Sequence, residues 1–150
     1  MLRSANLFAA ALIAATMASG AASAASEVVI EDYGIYEATI TGKVNAPKDI
    51  SLQRNVVANV RLIRQTRKLA AYPGRSFGFR FKVTDPSLLG KRLILRTRFP
   101  KMTNPETGAS STGQQREFLV STLNVVQYDG YRFDYRWEMA EGEWSFEIIH

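Results

Sequence analysis

Five residues near the end of the chain have side chains suited to chemistry. The stretch "WEMAEGEWSFEIIH" holds Glu138, Glu141, Glu143 and Glu147, and His150 is the only histidine. Carboxylates of this kind serve as general acids and bases when one of them is held in a cleft with a raised pKa. With an imidazole they can also ligate a metal ion. A Ser-His-Asp arrangement would have to use His150, which lies at a terminus where chains usually fray. The sequence contains no cysteine, which removes thiol catalysis and cysteine-based zinc sites.

The surrounding pattern assigns these carboxylates a plainer place. In "EWSFEII", Trp144, Phe146 and Ile148 alternate with Glu143, Ser145 and Glu147. Strand side chains point to opposite faces with a period of two. If the aromatic residues face the core, Glu143 and Glu147 face water. "GYRFDYRWEM" reads the same way, with Tyr131, Phe133, Tyr135, Trp137 and Met139 on one side. Glu138 then lies on the wet side, and Glu141 falls in the turn. The expectation is solvated strand carboxylates with no catalytic residue, no metal ligand and no cofactor site. The order Gly-x-aromatic-x-aromatic after Glu141 also matches the aromatic corner of immunoglobulin-like folds.

Alternation runs through the rest of the body. "SFGFRFKV" sets Phe77, Phe79, Phe81 and Val83 against Ser76, Gly78, Arg80 and Lys82. "KRLILRTRF" sets Leu93, Leu95, Thr97 and Phe99 against Arg92, Ile94, Arg96 and Arg98. "QREFLVSTL" is a weaker case. "EVVIEDYGIYEATITGKV" reads as a bent strand with Gly34 at a bulge or kink. "NVVANVRLIRQTRKLA" fits a strand or a helical stripe, and its β-branched residues favour the strand. Turn signals stand at "YPG", "TDPSLLG", "NPETG" and "YDG". About seven short strands follow, without helical crossovers. The expected fold is all-β: a single antiparallel two-sheet sandwich of immunoglobulin-like type, with a closed barrel as the alternative. The piece from Pro100 to Gln114 reads as an exposed loop. "NPETG" is similar to a wall-sorting signal, but further strands follow it, so it is read as a turn.

The start of the chain points to a compartment. Arg3 precedes an apolar run from about Leu7 to Met17, and Ala22-Ser23-Ala24 forms a cleavage site. This is the layout of a secretory signal peptide over residues 1–24, with the domain in 25–150. The run is too short to span ~30 Å of hydrocarbon. The expected destination is the periplasm or the extracellular space. There the fold must rest on its core, since it has no disulfide.

Nineteen Lys and Arg against 14 Asp and Glu give a net charge of +5, and removal of Arg3 leaves +4. That balance favours an anionic envelope component or another protein as partner over nucleic acid. Arg80, Lys82, Arg92, Arg96 and Arg98 leave the non-core sides of two consecutive strands. If those strands pair, they form one cationic face, extended by Arg132 and Arg136. Such a face would dock an anionic partner. It would equally keep a sheet surface soluble.

"VVIEDYGIYEA", "RNVVANVRLI", "GRSFGFRFKV", "TRFPKMTNPETG" and "RWEMAEGEWSFEI" together resemble a family of small exported bacterial proteins known only as a domain of unknown function. The resemblance implies a β-sandwich and an envelope location, and it carries no activity or site. Proteins of that kind continue into a closing strand, whereas this chain ends at His150. An open sheet edge is therefore expected, with edge-strand pairing to a partner or a homodimer as its outcome. The sequence thus points to a non-catalytic binding or accessory module of the envelope. The alternative is an envelope enzyme or a protease-inhibitor-like domain acting through residues 100–114.

Overall fold

A computed structural model describes residues 9–11 and 27–150. The expected signal peptide lies outside the described residues except for a three-residue strand, β1 (Ala9–Ala11). The body consists of seven strands: β2 (Val28–Asn45), β3 (Gln53–Arg64), β4 (Ser76–Val83), β5 (Arg92–Thr103), β6 (Ser110–Leu119), β7 (Gln127–Arg132) and β8 (Ser145–Ile149). Two single-turn 3-10 helices, Pro86–Leu88 and Arg136–Glu138, interrupt them. The strands form two layers, ordered β3-β2-β4-β7 and β1-β8-β5-β6. Every pairing is antiparallel except that of β1 with β8. The two-sheet sandwich is therefore as expected. It shares the layered architecture of immunoglobulin-like domains with a strand order of its own. Among the described residues no helix is long and apolar enough to cross a membrane.

The alternation sends the expected residues inward. Phe77, Phe79, Phe81 and Val83 of β4 meet Leu93, Leu95 and Phe99 of β5 and Phe146 and Ile148 of β8 in one core. At its centre stands Trp144, which is completely buried. Rings of Phe77, Phe99, Tyr131 and Phe133 lie 5.3, 5.1, 5.0 and 5.6 Å from it, centroid to centroid. Its indole N–H donates to the Ala140 carbonyl at 3.2 Å, so the buried polar atom is satisfied.

Gly34 bends β2 as its position suggested. Its φ is +142°, and a Cβ there would lie 2.1 Å from the Arg64 carbonyl oxygen. The register with β3 shifts three times beyond this point. β2 outruns β4, whose pairing with it ends at Tyr36–Ser76. The remainder of β2 pairs only with β3, and together they form a two-stranded arm. Asn104 Nδ2 donates to the Ile50 carbonyl in the tip of this arm at 2.9 Å, and Asn55 Nδ2 donates to Asp134 at 2.7 Å. The segment that could have been strand or helix is the strand β3 of this arm.

Three local expectations are corrected. Pro100–Gln114 is no loop: β5 runs to Thr103 and β6 begins at Ser110, with a bulge between Arg98 and Met102. Met102 and Asn104 are buried. Only a short turn remains, tied by the Asn104 side chain to the Glu106 N–H and closed by Gly108 at φ +72°. "YDG" is no turn either, because it lies within β7. Gly130 faces Gly78, and a Cβ on it would meet the Phe77 carbonyl oxygen at 2.5 Å. Finally, β7 ends at Arg132 rather than running on to Met139. The backbone N–H groups of Asp134 and Tyr135 bond to the Glu138 carboxylate and not to a neighbouring strand, so the chain coils into a 3-10 turn. Trp137 thereby leaves the inward series. It is partly buried and stacks on Tyr135 at 5.6 Å.

Candidate functional site

The four terminal carboxylates do not share a site. Glu141 and Glu143 are exposed, and Glu147 is half-buried beside Arg96 and Arg98 at 3.6 and 3.5 Å. His150 lies 3.8 Å from Glu27. Glu138 is the exception to the expected solvation, being 2 % exposed. One of its oxygens accepts from the Tyr131 hydroxyl at 2.9 Å. The other accepts from the backbone N–H groups of Asp134 and Tyr135 at 2.7 and 2.8 Å. Burial pushes its pKa up, against the pull of these bonds. The carboxylate acts as a backbone surrogate that ends β7. Among the described residues no group of three or more His, Asp or Glu is placed to hold a metal ion.

The five cations proposed as a docking face do not come together. Arg80 and Lys82 belong to β4, and Arg92, Arg96 and Arg98 to β5. These strands lie in different sheets, so their outward residues cover opposite sides of the sandwich. Each cation also has a carboxylate beside it. Arg80 forks onto Asp32 through Nε and Nη2, and Lys82 meets Glu31 at 2.7 Å. Arg92 meets Glu117, while Arg96 and Arg98 share Glu147. The condition that the two strands pair is not met, because consecutive strands here cross between layers. Of the two residues expected to extend that face, Arg132 bonds Asp134 at 3.0 Å.

The concave feature lies elsewhere. A cleft of about 420 Å³ opens between the arm, β7 and the inner face of β5–β6. This is within the ~300–1,000 Å³ range of small-molecule sites. The β5–β6 register explains its polarity. Gln114 stands opposite Thr97 and Arg116 opposite Leu95. Thr97 and Leu95 are buried, so directly opposed residues on β6 share the inward face. Two large polar side chains thus occupy positions that a sandwich normally fills with apolar ones.

Opposite charges pair throughout this wall. Arg116 Nε and Nη2 both donate to Asp129 Oδ1, at 3.1 and 2.9 Å, linking β6 to β7. Arg54 holds Asp49 with two bonds of 2.9 and 2.7 Å at the base of the arm's tip. Asp49 is 3 % exposed, so its ionic partner is a condition of its burial. Burial pushes the Asp129 carboxyl up, with Arg116 opposing. Gln114 Oε1 is buried and has no hydrogen-bond partner. Ile40, Val44 and Val56 of the arm, with Leu95 of β5, supply an apolar lining.

Sequence reasoning passed over this site for an identifiable reason. "GQQREF" reads as a weak strand because Gln114 and Arg116 break the apolar alternation. That break was itself the signal: polar residues in phase with Phe118 on a strand whose partner alternates strictly. Comparison of the chain with known family models, with curated proteins and with solved structures finds no match.

Proposed function

We propose that this chain is an exported binding module of the envelope that works without catalysis, holding a small ligand in the cleft beneath the arm. The observation that carries the reading is the cleft itself, a preformed concavity lined by inward-facing polar groups of β6 and apolar side chains of the arm. Export is supported by the leader-like start and by a cysteine-free fold that rests on its aromatic core.

An enzyme is the second reading, favoured by two carboxyls in the cleft lining, Asp129 and Glu138, that burial pushes up. A raised carboxyl in a cleft is what general-acid catalysis requires. Against this, both oxygens of Glu138 are engaged by protein donors, and Asp129 is held by Arg116. Inhibition through residues 100–114 has less support still, because that segment is a tied hairpin with no protruding loop.

The test is an amide NMR map of the labelled protein against the small-molecule fraction of an envelope extract. Saturable shifts confined to β6, β7 and the arm are expected, with the ligand recovered unchanged. Shifts only on other surfaces, or recovery of a cleaved ligand, would overturn the proposal.

A further inference from the structure

A strand edge opens into the cleft, and what can pair with that edge defines a ligand class, given that the cleft is a binding site. β7 ends its sheet, so β4 lies along one side of it and no strand of the described residues lies along the other. The pairing with β4 fixes the direction of its backbone groups. The Phe133 N–H donates to the Arg75 carbonyl at 3.1 Å, and the Phe133 carbonyl accepts from the Gly74 N–H at 2.7 Å. Hydrogen-bonded pairs recur at every second position of an antiparallel ladder. Tyr131 and Asp129, opposite Phe77 and Phe79, therefore turn their N–H and C=O groups to β4. Those of Tyr128, Gly130 and Arg132 turn away from it.

These three residues line the cleft and are partly exposed, whereas Asp129 and Tyr131 between them are buried. Gly130 has no side chain, so the surface it offers the cleft is backbone. A donor and an acceptor thus recur along this edge every ~6.6 Å, the two-residue repeat of an extended chain. A single ion or sugar ring can meet one such pair but not the row. Another polypeptide in the extended conformation meets all of it. Strand addition of this kind draws affinity from main-chain hydrogen bonds and specificity from pockets for alternate side chains. Here Ile40, Val44 and Val56 of the arm supply an apolar wall for those side chains. We propose that the cleft takes a short extended peptide, of about five residues with apolar side chains at alternate positions, which adds as a strand to the free edge of β7.

Amide hydrogen exchange and NMR titration of the labelled protein test this, with neutral blocked peptides Ac-Thr-Z-Thr-Z-Thr-NH2 in which Z is Val, Leu, Phe or Tyr. In the free protein the Tyr128, Gly130 and Arg132 amides should exchange faster than those of Asp129 and Tyr131. At least one peptide is expected to give saturable shifts in β7 and the arm and to slow those three amides. Its fully N-methylated form, which cannot donate, should do neither. Arg132→Pro removes one edge donor at a position where proline is tolerated, and should weaken that peptide about fivefold, the contribution of one backbone hydrogen bond. Arg132→Ala removes only the side chain and should bind nearly as well as the wild type. Equal binding by the N-methylated peptide, full affinity in the proline variant, or an alanine variant as weak as the proline one would overturn the strand addition. Should the proline variant not fold, the N-methylated peptide still decides. Protection of the three amides in the free protein that disappears on dilution would assign the edge to a second copy of the chain instead. Cleft shifts with the envelope fraction and none with the peptides would overturn the ligand class while leaving the cleft as a binding site. Absence of cleft shifts with both would remove the two readings together.

Discussion

Replacing Glu138 tests the account of how β7 ends. Alternation alone makes this residue a solvated carboxylate, whose loss should change stability by no more than ~0.5 kcal/mol. The structure makes it the acceptor of three hydrogen bonds in a nearly closed position. Bonds to a charged acceptor contribute roughly 1.5–3 kcal/mol each. The cost of holding a carboxylate away from water offsets part of that sum. Glu138→Leu abolishes all three bonds and strands the buried Tyr131 hydroxyl, so a net loss of about 3 kcal/mol is expected. Glu138→Gln keeps one oxygen for the two backbone donors and should lose only ~1 kcal/mol. Chemical melts of the three proteins at neutral pH decide, and a loss below ~1 kcal/mol for the leucine variant would refute the capping role. The pH dependence has a definite sign. The folded pKa is raised above the ordinary glutamate value, chiefly by burial, so the folded state holds this proton more tightly than the unfolded state. The resulting contribution is complete below the unfolded pKa and is lost as pH rises through the folded one. Carboxyl NMR should find Glu138 titrating above the ordinary glutamate range, and a titration below it would reverse the argument.

Further outcomes follow from other positions. Trp144→Ala empties the centre of the aromatic cluster and should cost ~3–5 kcal/mol in a chemical melt; a loss under ~1 kcal/mol would mean that the ring is not central. Gly34→Ala forces a Cβ into the Arg64 carbonyl at a positive φ and should cost more than ~1 kcal/mol, measured the same way. The Asp32 pKa is lowered, chiefly by its hydrogen bonds from Arg80, so its contribution is present above the unfolded pKa and lost as pH falls through the folded one. Carboxyl NMR should show the Asp32 pKa rising in Arg80→Ser, and an unchanged titration would break that link. Lastly, a chain starting at Ala25 lacks the residues that pair with β8. It should associate in sedimentation experiments through that edge, and a cooperative monomer at high concentration would exclude edge pairing.

Much of the sandwich was legible because its strands obey one rule. Phe77 to Val83, Leu93 to Phe99 and Trp144 to Ile148 alternate cleanly, and their inward series is buried throughout, with Gly78 the one residue of the opposite series that is buried as well. Gly34 also announced its bend. What could not be read was which strands share a sheet. β4 and β5 look like neighbours, yet a short connection through Pro86–Leu88 carries the chain to the opposite layer, and the cationic face divides with them. Periodicity likewise does not reveal where backbone hydrogen bonds go. "RFDYRWEM" keeps a strand's alternation while its N–H groups turn to a carboxylate. The cleft depends on both kinds of information. It needs β6 and β7 brought to facing layers, and it needs an arm that outruns its sheet.

The position of Trp144 in the chain has a consequence for biogenesis. Rings from β4, β5 and β7 converge on a residue that leaves the ribosome after all of them, and Phe146 and Ile148 of β8 follow later still. Contacts between such distant segments form slowly, since the loop entropy must be met before the contact stabilises anything. Until those residues are in place, the ring cluster of Phe77, Phe99, Tyr131 and Phe133 lacks its central member. The aromatic core is therefore completed only when these strands and the Trp144 segment have come together. The late tryptophan thus ties completion of the core to the segment that carries it.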